Sequence, residues 1–468
     1  MNDDVILRVV DLKQHFKTGV GKYKIYNKAV DGVTFDIKKG EVFSLVGESG
    51  CGKTTTGRTI MKIYKPTDGE VYLLGQRIVA GTLGLTEKNK ELKRGLKEEK
   101  AAISKDEVLT SEEKAAKITE LAAEVKEQIA ANKVEIKQRK KDQKSKYRPD
   151  PVQVEKIKEE AKLKTAEFKV LIQKENEDFI KFKKEKLAEL GGNDLPLKGQ
   201  ELLLEENKDY LKRKKLNKEM LEKYNDDINR ELTAPKFFNR PLLNQMQMVF
   251  QDPIDSLNPR MSVKDIIAES LYINGIKNEK VVLDKVFEVL KLVGLQPNHI
   301  DHYPHEFSGG QRQRIGVARA IISEPKLIIA DEPISALDVS IQAQIINLLN
   351  ELREKLGLTI LFIAHDLSVV KFLSDKVAIM YYGKIVEMGS KDKIFNRPLH
   401  PYTLSLISSI PMPDPKYEQE RKTNIRYNPK QHDYSVNKPY LREIEPGHFI
   451  YANDQEFVEY QKRLNETE

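Results

Sequence analysis

The chain has 468 residues, of which 32% are charged and 39% hydrophobic, and its formal net charge is +7. This composition is ordinary for a folded protein of two or three domains, and so mild a positive charge does not by itself indicate a nucleic-acid partner. The single cysteine, Cys51, excludes an internal disulfide framework, a four-cysteine zinc site and a cysteine-ligated iron–sulfur cluster. The acidic first residues do not form a secretory signal, and the longest apolar runs fall far short of the roughly 20 residues of a membrane span. We therefore expect a soluble cytoplasmic protein that reaches a membrane only through a partner.

The first segment with a chemical role is a phosphate-binding loop. Residues 47–54 read GESGCGKT, fit G-x-x-x-x-G-K-[ST] at every fixed position, follow the apolar strand VFSLV and precede a predicted helix. In such a loop the glycines turn backbone N–H groups toward a β-phosphate, the lysine reaches the β- and γ-phosphates, and the hydroxyl ligates Mg²⁺. We therefore predict a site for ATP and Mg²⁺ formed by Gly47, Glu48, Ser49, Gly50, Cys51, Gly52, Lys53, Thr54 (also a metal ligand) and Thr55, the last at the α-phosphate.

Residues 86–238 have a different composition, dominated by lysine and glutamate. Their apolar residues recur every three to four positions in two series, which predicts two amphipathic helices around a proline-bearing turn, in an antiparallel hairpin. The first series, interrupted by the polar Asn132, is Ile118, Leu121, Val125, Ile129 and Ile136. The second is Val154, Ile157, Ala161, Phe168, Leu171 and Phe179. A partly disordered charged loop is the alternative.

After this segment, three more apolar strands end in polar residues. LIIAD delivers Asp331 toward the metal, and Glu332 follows it as the predicted general base that polarises the attacking water. TILFIA leads to His365, a predicted sensor of the γ-phosphate, and MVF leads to Gln251, which we expect to contact Mg²⁺ and the water. These residues predict an ATP-hydrolysing site.

These motifs, together with FSGGQ at 307–311, occur in the order of an ABC ATPase, whose nucleotide-binding domain the chain resembles over about 1–80 and 241–395. The resemblance implies an α/β fold with a mostly parallel sheet core, a small antiparallel β region and a helical signature subdomain. It also implies that two such domains pack head to tail. The FSGGQ segment, called the signature segment below, then completes the ATP site of the partner domain in trans, here through Ser308, Gly309, Gly310 and Gln311. An aromatic residue for the adenine is expected upstream of the loop, either Tyr23 or Tyr26, with Tyr26 slightly favoured.

Further segments are similar to the ATP-binding subunits of oligopeptide and dipeptide importers, namely DPIDSLNPRMSV (252–263) and RPLHPYTLSLISSIPMPDP (397–415). The end of the chain resembles the F-type oligopeptide subunit. This resemblance implies ATP hydrolysis coupled to peptide import at the cytoplasmic face of the membrane. The implied partners are a sister ATPase in a heterodimer, two membrane permeases and, indirectly, an external peptide-binding protein; no nucleic acid is expected.

The predicted organisation is therefore an ABC domain interrupted by a long insertion. The predicted boundaries are 1–85 for its first part, 86–238 for the insertion, 239–395 for its second part and 396–468 for a C-terminal extension. The insertion has several possible roles: it docks a partner, braces the complex or is an idle expansion. It also leaves one alternative open, an ABC-type ATPase with a coiled coil that acts on DNA or ribosomes.

Overall fold

The structure is a computed structural model that describes residues 4–19, 25–105, 110–144, 151–189, 205, 207–222, 240–410 and 426–466. The strands are β1 Val5–Thr18, β2 Ile25–Lys38, β3 Val42–Val46, β4 Asp68–Leu73, β5 Gln76–Ala80, β6 Met246–Val249, β7 Leu327–Asp331, β8 Thr359–Ala364, β9 Lys376–Tyr381, β10 Lys384–Ser390, β11 Tyr440–Glu445 and β12 His448–Ala452. The helices are α1 Lys53–Ile60, α2 Leu83–Lys105, α3 Ser111–Lys144, α4 Pro151–Glu189, α5 207–222, α6 Arg240–Leu243, α7 Pro253–Ser256, α8 Val263–Ile273, α9 Glu279–Leu292, α10 Gly309–Ile321, α11 Val339–Leu356, α12 Leu367–Leu373, α13 Lys391–Asn396, α14 Pro401–Ser408 and α15 Asp454–Glu466.

The core is an eight-stranded sheet in the order β11-β12-β10-β9-β3-β8-β7-β6. Strands β9, β3, β8, β7 and β6 run parallel, and β3, β7 and β8 are buried at every position. Parallel strands covered on both faces are nearly continuous apolar runs, which explains VFSLV, LIIAD and TILFIA. Their carboxyl ends share one edge of the sheet, so the residues that follow them meet there.

Alternate residues of β3 belong to different hydrophobic cores. Val42 and Val46 pack with residues of α8 to α11, whereas Phe43 and Leu45 pack with a separate four-stranded antiparallel sheet, β2-β1-β4-β5. Phe43 stacks on Phe35 of β2, with ring centroids 4.7 Å apart. The predicted fold class is confirmed: a mostly parallel core, a small antiparallel β region and a helical region that contains the signature segment.

The C-terminal part extends the main sheet with antiparallel strands. Strand β10 pairs with β9 and β12, and β11 pairs with β12. Helix α15 follows β12 and contributes Tyr460 and Leu464 to a small core with Ile450. The predicted extension, 396–468, begins after β10, and the structure adds that its strands β11 and β12 continue the sheet of the nucleotide-binding domain.

By its internal contacts the chain divides into two compact units, residues 1–143 with 241–468, and residues 144–240. In the first unit, α3 presents the predicted apolar series on its less exposed face, and Val125 is buried. Asn132, the polar residue that interrupts this series, contacts the neighbouring helix: its Nδ2 donates a hydrogen bond to Asn89 Oδ1 of α2 at 2.8 Å. Helix α2 starts at Leu83, and sequence analysis did not separate it from the rest of the insertion.

The second unit contains α4 and α5. Phe179 of α4 stacks on Tyr210 of α5, with ring centroids 4.0 Å apart. The prediction placed Leu171 on the apolar face of α4, but its side chain is 54% exposed, and the less exposed neighbour is Ile172. The prediction was wrong by one position because adjacent apolar residues leave the phase of a helical face ambiguous. Most of the predicted proline-bearing turn, residues 145–150, lies outside the described residues, as do the side chains of Val154, Ile157 and Ala161.

In the part of the chain that the structure describes, no helix combines the length and the apolar character that crossing a membrane requires.

Candidate functional site

The loop at 47–52 connects β3 to α1, and two of its glycines are fixed by their surroundings. A Cβ at Gly47 would lie 2.1 Å from the carbonyl oxygen of Met380 at the end of β9. Gly52 has φ of 107°, and a Cβ there would lie 2.0 Å from the carbonyl oxygen of Ala29 on β2. Only glycine fits such close backbone approaches. The loop therefore rests with its outer side on β2 and β9, and its concave side is left for a ligand.

Lys53 begins α1 and points into the loop. Its side chain is 3% exposed, and Nζ donates hydrogen bonds to the carbonyl oxygens of Gly47 at 2.8 Å and Glu48 at 2.9 Å. The same Nζ lies 3.8 Å from a carboxylate oxygen of Glu332. A buried ammonium thus stands in the loop beside the end of β7, where phosphate oxygens could take over its hydrogen bonds.

Thr54 and Asp331 form the second feature of the site. Thr54 Oγ1 donates a hydrogen bond to Asp331 Oδ1 at 2.8 Å, and Asp331 is fully buried. Within the described residues, Asp331 Oδ2 has no hydrogen-bond partner, and Arg58 Nε lies 3.8 Å away. Burial raises the pKa of Asp331 above its ordinary value, although the hydrogen bond from Thr54 opposes this rise. A hydroxyl beside a carboxylate oxygen that lacks a partner suits Mg²⁺, which prefers oxygen ligands.

Glu332, which follows β7, contacts residues that follow two other strands. Its carboxylate Oε2 accepts a hydrogen bond from Gln251 Nε2 at 3.3 Å, after β6, and lies 3.2 Å from His365 Nδ1, after β8. Its backbone has φ of 44°, in the sparsely populated left-handed region, and its N–H donates to the carbonyl oxygen of Ile363. Such backbone geometry aims the side chain into a cleft of about 540 Å³. The cleft is lined by Ser49, Gln251, Asp252, Glu332, Ser335, Ala336 and His365.

The signature segment stands apart from this cleft. Ser308 caps α10: its hydroxyl accepts a hydrogen bond from the Gln311 N–H at 3.3 Å, and the Gln311 side chain accepts one from the Ser308 N–H at 3.0 Å. A Cβ at Gly310 would lie 2.5 Å from Ile341 of α11, and one at Gly309 would lie 3.4 Å from Leu337. Among the described residues, the lining of the cleft does not include 308–311.

The remaining predicted residues are arranged around the loop. Cys51 is buried, and burial raises the pKa of its thiol, as expected for a packed rather than a reactive cysteine. Thr55 is on α1 beside Thr54. Tyr26 lies on β2, three residues before Ala29, and is 54% exposed. Its alternative, Tyr23, lies outside the described residues.

Sequence analysis missed two residues that touch the site. Arg58 lies one helical turn after Thr54, and this spacing was the signal that could have placed it near Asp331. Tyr402 belongs to the HPYT segment, which was noted only as a marker of a family, and its hydroxyl contacts the backbone of Glu48. The contact between Tyr402 and Glu48 joins residues more than 350 positions apart in the sequence, and such a contact leaves no periodic signal there.

A phosphate-binding loop on a parallel sheet, a buried aspartate followed by a glutamate, and a capped SGGQ helix define the class of ABC-type ATPases. The model of the ABC transporter family matches residues 30–185 and 216–335, and the model of the oligopeptide/dipeptide transporter C-terminal region matches residues 386–440. The chain belongs to the ABC transporter family and carries the C-terminal region of its oligopeptide/dipeptide branch.

Two similar proteins carry names of the same branch. The chain is 36% identical over 454 residues to the oligopeptide transport ATP-binding protein OppF of Bacillus subtilis, with 97% of each chain covered. It is 52% identical over 225 residues to the oligopeptide transport ATP-binding protein AmiF of Streptococcus pneumoniae. That match covers 48% of this chain and 73% of the relative, which is therefore the shorter protein. Among solved structures, cbiO1 from Clostridium perfringens, part of the ABC transporter complex cbiONQ, is 19% identical, with a TM-score of 0.44 and coverage of 84% of this chain and 92% of that one.

Proposed function

We propose that this chain is the ATP-hydrolysing subunit that energises the import of oligopeptides through a membrane ABC transporter. Its relatives named for oligopeptide transport and its C-terminal region of the oligopeptide/dipeptide type support this function. The proposed complex lies at the cytoplasmic face of the membrane and contains a sister ATPase, two permeases and, indirectly, an external peptide-binding protein. The same C-terminal match does not favour an ATPase that acts on DNA or ribosomes.

The observation that carries the ATPase assignment is the position of Glu332. Its carboxylate faces the cleft between Gln251 and His365 and lies 3.8 Å from the ammonium of Lys53 in the loop. A general base must stand within reach of the proton that it removes, and a phosphate held by Lys53 would bring an attacking water to this place.

In the proposed reaction a water attacks the γ-phosphorus of ATP, and the bond to the β–γ bridging oxygen breaks to release ADP. Glu332 accepts the proton of the water, while Gln251 and His365 hold the Glu332 carboxylate and orient the water. Lys53 exchanges the carbonyl oxygens of Gly47 and Glu48 for phosphate oxygens. Because phosphoryl transfer depends mainly on positioning and electrostatics, these contacts supply most of the catalysis.

Thr54, Asp331 and Gln251 are the proposed ligands of Mg²⁺. The ion would neutralise charge on the phosphates, and these residues fit it because they offer hydroxyl, carboxylate and amide oxygens. Ser308, Gly309, Gly310 and Gln311 are proposed to complete the ATP site of the partner subunit, and Tyr26 to stack on the adenine.

Replacement of Glu332 by glutamine tests the assignment. Loss of the base should lower kcat by roughly 10²- to 10⁴-fold, while MgATP binding persists because the phosphate ligands are intact. The measurement is phosphate release under saturating MgATP, together with the Kd for MgATP. Glu351→Gln, which changes an exposed carboxylate of α11 outside the cleft, is the matched control and should keep the wild-type rate. Turnover of Glu332→Gln near that rate would contradict the role of Glu332.

Native mass spectrometry of the chain, purified gently from its own membranes, tests the proposed assembly. A complex with one sister ATPase and two multispanning permeases is expected. A homodimer that carries DNA or ribosomes and lacks permeases would leave the ATPase site standing but overturn the import function.

A further inference from the structure

The phosphate-binding loop has a contact on its outer side that the proposed chemistry does not use. In such a loop, N–H groups commonly turn inward to phosphate. Here the N–H of Glu48 instead donates a hydrogen bond to the hydroxyl of Tyr402 at 3.2 Å. The carbonyl of Glu48 accepts a hydrogen bond from Lys53 Nζ at 2.9 Å. Glu48 therefore stands, through its backbone, between the tyrosine and the lysine of the nucleotide site.

Burial and ring packing fix the side chain of Tyr402 beside the loop. Its side chain is 1% exposed, and its ring lies against Tyr381 of β9, with centroids 4.4 Å apart, and against Tyr427, with centroids 5.4 Å apart. A buried tyrosine usually directs its hydroxyl to a hydrogen-bond partner, and here that partner is the loop.

The helix that carries Tyr402 is fixed by a buried carboxylate. Glu387 of β10 accepts hydrogen bonds from the backbone N–H of Leu399 at 2.9 Å and of His400 at 3.0 Å, just before α14. His448 Nε2 of β12 lies 2.9 Å from the same carboxylate, and both side chains are fully buried. His400 then caps α14 by accepting a hydrogen bond from the Tyr402 N–H. The position of Tyr402 thus depends on β12 in the C-terminal extension.

We propose that Tyr402 is a positioning residue for the phosphate-binding loop, through which the C-terminal extension sets the affinity of the site for MgATP. Tyr402 does not touch the reacting atoms. It keeps Glu48 in place when Lys53 leaves the loop carbonyls for the phosphates, so the loop does not have to reorder on binding. Preorganisation of this kind appears in affinity because the ordering cost is met before the ligand arrives. The effect on ATP rests on the proposed function, whereas the contact itself does not.

Tyr402→Phe tests this role because it removes only the hydroxyl. The KM for MgATP should rise by roughly 2- to 12-fold, the range that one net hydrogen bond gives, and kcat should stay the same. Hydrogen exchange of the segment 43–53 in the nucleotide-free protein should become faster. Tyr427→Phe removes a hydroxyl from the same aromatic group, in which its ring packs on Tyr402, and should change neither quantity.

The outcomes separate the possible explanations. An unchanged KM together with unchanged exchange would overturn the proposal. A lower kcat at constant KM would overturn it too, because that pattern reports a smaller active fraction or a lost transition-state contact and not a change in the affinity for MgATP. If the wild-type chain proved not to hydrolyse ATP, the proposed function would fail. The role of Tyr402 would then be decided by exchange and by the Kd for MgADP, which should rise in Tyr402→Phe and not in Tyr427→Phe.

Discussion

Two glycines inside helices have opposite surroundings, and this decides what a side chain would do at each. A Cβ at Gly57 of α1 would lie 2.8 Å from Ile363 Cδ1 and 3.3 Å from Ile329 Cγ2, on two neighbouring strands of the main sheet. A Cβ at Gly316 of α10 would meet no atom within 4 Å beyond the helix itself. Gly57 therefore allows α1, and with it Lys53 and Thr54, to approach the sheet closely, whereas Gly316 has no such role.

We expect Gly316→Ala to raise the free energy of unfolding by about 0.5–1 kcal/mol, because alanine loses less backbone entropy in a helix. In Gly57→Ala the same gain is outweighed by overpacking, which typically costs about 1–3 kcal/mol. Urea unfolding of the two variants and the wild type, without nucleotide, measures the difference. If both variants changed the free energy of unfolding by the same amount and in the same direction, the close approach of α1 to the sheet would not affect stability.

At the scale of elements, two arginines attach the insertion to the antiparallel sheet. The part of α3 around Arg139, called the root of the insertion, lies against β4 and β5. Arg139 of α3 donates hydrogen bonds to Glu70 of β4, to the carbonyl oxygen of Gly81 at 2.9 Å and to Glu135 at 2.9 Å. Arg77 of β5 donates to the same Glu135 at 2.8 Å. The side chains of Arg139 and Glu70 are only 14% and 16% exposed, so this part of the network is shielded from solvent more than an ordinary surface pair, whereas the Glu135 side chain is 38% exposed.

Arg139→Lys should loosen this root, because an ammonium cannot replace the planar fork that reaches three acceptors at once. Hydrogen exchange in α2 and α3 should become faster, while kcat stays at the wild-type value because the nucleotide cleft is formed by other segments. Arg94→Lys on α2 is the control, since that side chain is 74% exposed and pairs only loosely with Glu98 at 3.8 Å. Exchange equal to that of the control would mean that the ion pairs do not hold the insertion.

The same attachment should depend on pH in the acid range. Burial would raise the pKa of Glu135, but hydrogen bonds from Arg139 and Arg77 outweigh it, and the pKa lies below the ordinary 4.5. A carboxylate with a lowered pKa contributes stability that is fully present above 4.5 and is lost as the pH falls through the lowered value. Faster exchange of α3 should therefore begin below about pH 4.5 and be absent near neutrality.

At the scale of the whole molecule, a substitution in the signature segment tests the proposed trans arrangement of two subunits. Ser308→Arg should abolish hydrolysis, because the arginine would obstruct the partner's ATP in the proposed trans arrangement, while this chain still binds MgATP. Asn278→Arg removes a comparable cap from α9 at an exposed position and controls for the loss of a helix cap. The measurements are phosphate release and the Kd for MgATP of the full chain. Loss of MgATP binding in Ser308→Arg alone would contradict the trans arrangement.

The fold and the cleft followed from the sequence to a large extent because their signals are local. Strands buried on both faces are apolar runs, and residues placed just after parallel strands necessarily meet at one edge of the sheet. Asp331, Glu332, Gln251 and His365 could therefore be assigned to one site without coordinates, and the structure brings their segments together. The phase of α4 could not be assigned in this way, since adjacent apolar residues fit two faces equally well.

The sequence by itself determined the family, the α/β architecture and the residues at the ends of the strands, because each depends on short motifs or on a period of two or 3.6 residues. Only the tertiary structure decided that α3 is attached to β4 and β5 by Arg139 and Arg77, and that Tyr402 touches the phosphate-binding loop. These contacts join residues that are far apart in the chain through single hydrogen bonds. A single hydrogen bond imposes no repeating pattern on the residues around it, so its partners become visible only when the backbone has brought them together.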